Sequence, residues 1–354
     1  MLEEHSGGSV NRSVACAVLA LVVAATAAAQ EPDDWEEQDR KYQERLQRRT
    51  EAPPAPADPE AAARELRKRY IDEADRLIRD RNFAFAQVDG IEVRTDDPRL
   101  DVRAAAGLLA SFRQYFDATL EGRVRLAPYD GPAKSYLFWS YAKFNELTTG
   151  KARFDDFRPA GHYRPALDVC TVHTDGVPPG DLPDVLVHEF AHQLLENRAL
   201  PGATRPPWLD EGLAEYFGFT ARDADGTFRA GKIGGKSAAL FREGEATKAA
   251  GADRRLKELT RGMRESPSWT VDELLRLDDD AAFYGTGLEM RYGAAFAVVH
   301  FLLHGDGGKY AGGFWAWVAE LPKAPADVAA LYRAVGLSKE EFQERFAKYA
   351  KSIS

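Results

Sequence analysis

The sequence predicts an α+β fold in which an N-terminal α/β lobe with a mixed sheet is followed by a C-terminal lobe built only from helices. Segments with the two-residue alternation of β-strands occur before about residue 180, whereas the chain after Pro206 has helical periodicity. A third observation is an apolar helix, "LVHEFAHQLL" (Leu186–Leu195), predicted near the junction of the lobes. Clefts between lobes are common places for functional sites.

The first 29 residues are predicted to be a secretory signal peptide. An apolar run, "VACAVLALVVAATAAAQ", follows Arg12, and Ala27 and Ala29 are spaced for cleavage near Ala29. The alternative is an uncleaved anchor helix, although the run is short for a membrane span. We therefore expect a secreted or periplasmic protein with no membrane span in the mature chain, and with Cys170 as its one remaining cysteine.

The N-terminal lobe is predicted over residues 61–205, after a charged and proline-rich linker over residues 30–60. An amphipathic helix ("ARELRKRYIDEADRLI") comes first, then a short strand ("IEVRT") and a helix capped by Asp101 ("DVRAAAGLLASFRQYFDATL"). Two further strands are predicted, "VRLAPY" and "ALDVCTVHT". Three prolines then lead into the helix that contains Leu186–Leu195.

The C-terminal lobe, residues 206–354, is predicted to contain helices and no strands. The helical segments, in order, are "PPWLDEGLAEYFGF", "DRRLKELTRGM", "TVDELLRL", "RYGAAFAVVHFLLH", "FWAWVAEL", "VAALYRAV" and "KEEFQERFAKYA". No internal repeat is found. "AGKIGGKS" imitates a phosphate loop, but alanine stands at the first required glycine and we interpret it as a turn.

Composition and charge exclude one class of partner. The chain is 44% hydrophobic and 29% charged, as in ordinary globular proteins, and its net charge is −9. A protein that binds nucleic acid needs a basic face, and no Lys/Arg-rich block is present. We expect no nucleic-acid partner; the oligomeric state is open.

His188, Glu189 and His192 are three ionisable residues within the otherwise uncharged stretch Leu186–Leu195. Histidines at positions i and i+4 share one helix face, so both imidazoles can reach one metal ion. Glu189 is rotated by about 100° from His188, which suits a general base better than a third ligand. The pattern favours a catalytic zinc site, which needs three protein ligands and one open position.

The third ligand is expected from the following helix. "RPPWLDEGLAEYF" places Glu211 and Glu215 at i and i+4, and the preceding segment is long enough to bring this helix alongside the first. Either carboxylate could complete the site by this reasoning alone.

The two motifs together resemble a known family. The motifs "HEFAHQ" and "WLDEGLAEYF", with eighteen residues between His192 and Glu211, are similar to those of the gluzincin zinc metallopeptidases, including the aminopeptidase N group. The later segment "YGAAFAVVHFLLHGDGGKYAGGFWAWV" looks more like uncharacterised bacterial secreted proteins with a peptidase MA-like domain. The resemblance covers roughly residues 180–320 and implies a two-lobed zincin fold.

The resemblance also implies the roles of individual residues. His188, His192 and Glu211 would bind Zn²⁺, and Glu189 would be the general base. Glu215 would be an outer carboxylate that orients a ligand histidine. Asp210 stands where the family often has asparagine, a departure that is not expected to affect coordination.

A tyrosine is expected to assist the metal in stabilising the oxyanion. In gluzincin relatives this donor opens a helix of the form Tyr-x-x-Gly/Ala followed by apolar residues, and "RYGAAFAVVHFLL" fits this form at Tyr292. Tyr284, in "AAFYGTG", is the competing candidate, and its glycine-flanked setting is more typical of a mobile loop.

Substrate binding is expected to differ from that of aminopeptidase N relatives, which carry a Gly-x-Met-Glu-Asn segment before the zinc helix. Residues 158–187 contain no glutamate, so we expect internal cleavage or another non-aminopeptidase specificity. The strand predicted over Ala166–Thr174 would pair with an extended substrate. His162 and His173 flank this strand and are minor candidates for substrate contacts.

Two function classes remain beside the zinc metallopeptidase with a peptide or protein substrate. One is a catalytically idle zincin-fold binding protein, against which Glu189 argues. The other is a zinc hydrolase of a non-peptide substrate, which nothing in the sequence excludes. His300 and His304 are also four residues apart, but no glutamate follows His300, and we interpret His300 as packed and His304 as solvated at the end of a helix.

Overall fold

A mixed β-sheet organises the first half of the structure, a computed structural model that describes residues 65, 72, 83–129, 131–149, 159–165, 168–223, 226–234, 239–242, 250–266 and 268–353. Its strands are β1 (Ala84–Val88), β2 (Ile91–Thr95), β3 (Ala133–Phe138), β4 (Gly161–Arg164) and β5 (Val169–His173). The strand order is β1-β2-β3-β5-β4. β2, β3 and β5 are parallel, and β1 and β4 pair antiparallel at the two edges.

Eleven helices are found among the described residues. They are α1 (Val102–Leu120), α2 (Tyr141–Thr149), α3 (Leu182–Leu194), α4 (Pro207–Phe219), α5 (Gly251–Glu265), α6 (Val271–Leu275), α7 (Asp280–Phe283), α8 (Leu288–His304), α9 (Ala311–Val318), α10 (Val328–Val335) and α11 (Lys339–Ile353). A π-helical turn, Leu195–Ala199, extends α3. The chain is therefore a mixed α/β protein, as the sequence predicts at this level.

The two faces of the sheet bury different residues of β3. Ala133 and Leu137 belong to the large core that α1 and α3 share, whereas Tyr136 and Phe138 belong to a smaller cluster with Phe144 of α2. This follows from the two-residue alternation of a strand buried on both faces. The helix α3 thus lies against β4 and β5, at one edge of the sheet.

Helix α4 packs tightly between α3 and α8. Gly212 makes this possible, because a Cβ atom there would lie 2.6 Å from the carbonyl oxygen of Ala295. The backbones of α4 and α8 therefore approach more closely than larger side chains would permit. Glu211, the neighbour of Gly212, is held by this contact relative to α8.

Several strand predictions are wrong. "VRLAPY" contains no strand among residues 125–129, since the backbone of Ala127 pairs with Arg198 of the π-helical turn instead of a neighbouring strand. Strands were not expected after Pro206, but β6 (Thr220–Arg222) and β7 (Phe228–Ile233) form an antiparallel hairpin there. β7 also covers the first half of "AGKIGGKS", where we expected a turn.

Other sequence predictions fall beyond the described part of the chain. They are the signal peptide (1–29), the linker (30–60) and nearly all of the first amphipathic helix. Residues 64–354 form one compact unit, and the lobe boundary expected between residues 205 and 206 lies inside it, just before α4. Among the described helices, none has both the length and the apolarity that crossing a membrane requires.

Candidate metal centre

Helix α3 buries one apolar side and presents its histidines on another. Pro183 stands in its first turn, where a missing amide hydrogen costs nothing, and Leu186, Phe190 and Leu194 are fully buried. These spacings of four residues form the stripe that packs into the core. His188 and His192 share a different face, which is turned toward α4.

Three side chains converge between α3 and α4. The Nε2 atoms of His188 and His192 are 3.1 Å apart, and Glu211 Oε2 lies 3.3 Å from the first and 3.5 Å from the second. Four ligands held tetrahedrally at about 2.0–2.1 Å from a zinc ion would be about 3.3 Å apart. The His188, His192 and Glu211 cluster therefore has the dimensions of a tetrahedral metal site.

The protonation of these atoms also suits a cation. Glu211 Oε2 is buried without a hydrogen-bond partner. His192 Nδ1 lies 3.2 Å from the Asp210 carboxylate, so a His192 ring protonated only at Nδ1 would direct its Nε2 lone pair at the centre. Three electron-pair donors facing one another repel unless a proton or a metal ion lies between them. The donor set, two imidazoles and one carboxylate, is one that zinc accepts.

Charge coupling within the cluster is strong. Burial opposes ionisation of Glu211, but the two histidines outweigh it and hold its pKa well below the usual range. Burial likewise opposes charge on His192, yet Asp210 and Glu211 raise its pKa well above the ordinary value. The pKa of His188 is raised in the same way, with Glu211 as the main opposing influence to burial. The site therefore attracts positive charge.

Asp210 is closer to the centre than expected. It contacts His192 as described, and its other carboxylate oxygen accepts a hydrogen bond from Arg205 Nε at 2.6 Å. Arg205 in turn donates to Glu196 at 3.0 Å. Burial raises the pKa of Asp210, but His192 and Arg205 lower it to about 2. Asp210 is thus an ionised carboxylate in contact with His192, in a position to take the orienting role that the resemblance implies for Glu215.

Glu215 lies on the other side of the cluster. Its carboxylate accepts a hydrogen bond from Arg255 Nε at 3.0 Å, and its charge is near enough to contribute to the raised pKa of His188. The orienting role of Glu215 itself stays a prediction.

Glu189 is enclosed between α3 and the edge strand β4. Its side chain is 7% exposed, and a Cβ atom at Gly161 would lie 2.5 Å from its Cγ. Burial raises the pKa of the Glu189 carboxyl group, His188 and His192 oppose this rise, and the backbone of Tyr163 supplies a hydrogen bond. A carboxyl group in such a setting is suited to accept a proton near neutral pH.

The two candidate tyrosines both lie near the cluster. Tyr292 is the fifth residue of α8, one turn after the helix start that the sequence predicts for it, and it is buried with the Arg255 guanidinium 4.6 Å from its ring centre. Tyr284 is 43% exposed, and its hydroxyl donates a hydrogen bond to Glu211 Oε1. Burial raises the pKa of Tyr292 far above the ordinary value, so its hydroxyl remains a donor at neutral pH. The choice between them stays a prediction.

A cavity of about 140 Å³ adjoins this centre. The functional candidates that line it are His188, Glu189, Glu215, Tyr292, Arg255 and Gly161. The base candidate and the proposed oxyanion donor thus face one space, large enough for a small part of a substrate.

The strand expected to bind substrate is not available for that role. β5, the core of the segment Ala166–Thr174, pairs with β3 on one side and β4 on the other, so this prediction is wrong. The edge strand next to α3 is β4. The amide of His173 donates a hydrogen bond to the carbonyl oxygen of Ala160. Because residues of an antiparallel strand alternately face toward and away from the neighbouring strand with their backbone groups, those of Gly161 and Tyr163 point away from β5.

The remaining histidines divide between site and core. His162, on β4, has its pKa lowered to about 4 by desolvation and by repulsion from Arg164 and His192, which places it near the cluster. His173 is buried against Tyr141 and Phe144. His300 is also buried and bonds to Tyr349, so it is a packing residue.

Comparison with known proteins adds no assignment. No protein-family model matches the sequence, and no curated protein matches it significantly.

The residues around the cluster that the sequence did not single out include Gly161, Tyr163, Arg205 and Arg255. Of these residues, only Arg205 could have been found from the local sequence, because it lies five residues before Asp210. The others contact the cluster from segments that are distant in the sequence.

Proposed function

We propose that this chain is a secreted zinc-dependent metallopeptidase with a two-lobed zincin fold. The observation that carries the proposal is the convergence of His188 Nε2, His192 Nε2 and Glu211 Oε2 beside the buried carboxyl group of Glu189. A catalytic zinc site needs three such ligands and a base that is not itself a ligand.

His188, His192 and Glu211 hold the zinc ion in this proposal. Bound zinc supplies a Lewis acid that polarises the scissile carbonyl and makes water more acidic. Asp210, fixed by Arg205, keeps the His192 ring in the tautomer and orientation that a ligand needs.

Glu189 takes the proton of the attacking water and later delivers it to the leaving amine. Its carboxyl group is held from two sides, by the surface of Gly161 and by the backbone of Tyr163. Tyr292 donates a hydrogen bond to the carbonyl oxygen as negative charge develops there.

An extended peptide is the substrate class that the edge strand supports best. Gly161 turns its backbone groups outward and Tyr163 its carbonyl oxygen, and a peptide lying beside β4 can form main-chain hydrogen bonds with these groups. The absence of a glutamate over residues 158–187 supports cleavage within a chain rather than removal of its N-terminal residue.

The test is a cleavage assay with peptide libraries, combined with metal analysis of the purified protein. We expect about one zinc per chain and cleavage of internally quenched peptides whose ends are blocked. Rapid release of N-terminal residues from short aminoacyl reporters, with blocked peptides left intact, would refute internal cleavage. Zinc binding without peptide cleavage would instead favour a non-peptide substrate or an idle binding protein.

A further inference from the structure

Three polar residues follow one face of α3 and its π-helical extension. Glu189, Gln193 and Asn197 are spaced by four residues, and we call them the polar stripe. Gln193 is completely buried and Glu189 nearly so. All three contact the β4–β5 hairpin, which makes this face of the helix a docking surface for the edge of the sheet.

Gln193 and Asn197 hold the end of the hairpin. Gln193 Nε2 donates to the Asp168 carbonyl at 2.8 Å and to its Oδ1 at 3.0 Å. Asn197 Nδ2 lies 2.8 Å from the same Oδ1 and 2.9 Å from the hydroxyl of Tyr163. Asp168 is 3% exposed and has a positive φ of 50°. These donors converge on Oδ1 and offset part of the cost of burying a carboxylate at this position.

Tyr163 connects the two ends of the polar stripe. Its hydroxyl contacts Asp168 and Asn197, and Gly161, two residues earlier in β4, touches the side chain of Glu189. If β4 shifted by one residue along α3, the side chain of Tyr163 would turn to the other face of the sheet and these contacts would be lost. The contacts at Asp168 therefore determine which backbone groups of β4 lie beside Glu189.

We propose that Gln193, Asn197, Asp168 and Tyr163 are positioning residues that set the register of the edge strand β4 against Glu189. Because an extended peptide would align on β4, they determine which peptide bond lies next to the base, and the enzyme favours substrates long enough to occupy the strand. This inference rests on the proposed peptidase function, but its structural part can be tested without activity.

The first test compares peptides of different length. Tyr163→Phe and Asn197→Ala each remove one hydrogen-bonding group, and we expect them to reduce kcat/KM for a blocked octapeptide about fivefold to tenfold, the effect of one ordinary hydrogen bond. The loss should be mainly in KM, and a blocked dipeptide should be affected much less. Asp168→Asn, which keeps an acceptor and tolerates positive φ, should retain more activity than Asp168→Ala.

The second test is hydrogen exchange of the full chain, monitored in β4 and, for reference, in β3. Tyr163→Phe and Asn197→Ala should speed exchange in Gly161–Arg164 by about fivefold or more, since each removes a bond that holds the hairpin. Exchange in Ala133–Phe138 should stay as in wild type. Tyr332→Phe is the matched control, because Tyr332 is equally buried and its hydroxyl donates to Asp272 at 2.9 Å, away from α3.

The outcomes separate the two proposals. Faster exchange confined to β4, in a protein that cleaves no peptide, would support the positioning role of these residues and refute the proposed peptidase function. Cleavage that depends on Glu189 but shows equal losses for octapeptide and dipeptide would refute the positioning role. Unchanged exchange in β4, or exchange that rises equally in β3, would also overturn it.

Discussion

Gly161 and Glu189 touch across the boundary between strand β4 and helix α3. The carboxyl group of Glu189 occupies the space that any side chain at position 161 would need, since a Cβ atom there would lie 2.5–2.9 Å from three atoms of the glutamate side chain. Such distances are too short for real atoms, so a substitution must displace either the strand or the carboxyl group. The absence of a side chain at residue 161 therefore determines where Glu189 lies.

Gly161→Ala should reduce peptide cleavage strongly while leaving the metal ligands intact. We expect kcat to fall by about 10²-fold, since displacing a reacting group by about 1 Å can have this effect. Gly107→Ala is the matched control, because a Cβ there meets no atom within 4 Å. Kinetics and zinc content of both variants provide the measurement. Equal activity of the two variants would contradict the role assigned to Gly161.

Asp210→Asn should weaken zinc binding. The substitution keeps the shape of the side chain but removes the charge that lies 3.2 Å from His192 Nδ1. Loss of an outer hydrogen-bonding partner typically weakens metal affinity by about 10–100-fold. Competition with a chelator measures the affinity directly, without reference to activity. An unchanged dissociation constant would show that Asp210 does not influence the ligand.

Tyr292→Phe should lower kcat and kcat/KM together. Removing one oxyanion donor costs about 2.7–4 kcal/mol of transition-state stabilisation, or a factor of about 10²–10³ in rate. The ring should remain in place, because Phe283 and Arg255 pack against it. Tyr284→Phe is the comparison, since that hydroxyl bonds to Glu211. Near wild-type activity of the first variant with a strong loss in the second would make Tyr284 the donor.

His300 should make the fold less stable in acid. Burial, followed by repulsion from His304, lowers the pKa of His300 to about 4. An unfolded histidine has a pKa of about 6.5, so between these values the unfolded state binds a proton that the folded state does not. The unfolding free energy therefore falls as pH drops from about 6.5 to 4, by up to about 3 kcal/mol.

Denaturant unfolding at several pH values checks this prediction in wild type and His300→Gln. The variant cannot titrate here, so its unfolding free energy should fall less between pH 6.5 and 4 than that of wild type. The difference between the pH dependences of the unfolding free energy in the two proteins gives the contribution of His300 separately from that of other titrating groups. Parallel slopes would contradict the prediction.

Local patterns in the sequence predicted the centre of the site but not its surroundings. The four-residue spacings of His188 with His192 and of Glu211 with Glu215 are helical signals that need no knowledge of the sheet. The resemblance selected Glu211, and the structure brings His188, His192 and Glu211 together. The Asp101 cap and helix α1 were predicted for the same reason, and both are confirmed.

The surroundings depend on contacts between distant segments. Strand β4 has only four residues and lies directly before Pro165, so it has too little alternation to be recognised. Its antiparallel pairing with β5 placed the predicted substrate strand inside the sheet. Arg255 reaches Glu215 from α5, a contact that no local pattern specifies.

We propose that Glu189 acts as a general base beside a bound zinc ion. The most direct measurement is the zinc content and peptide cleavage of Glu189→Gln in the same preparation as wild type. We expect about one zinc per chain in both proteins and a loss of cleavage of about 10²–10⁴-fold or more in the variant, the typical contribution of a general base. Unchanged turnover in Glu189→Gln, at equal zinc content, would contradict the account.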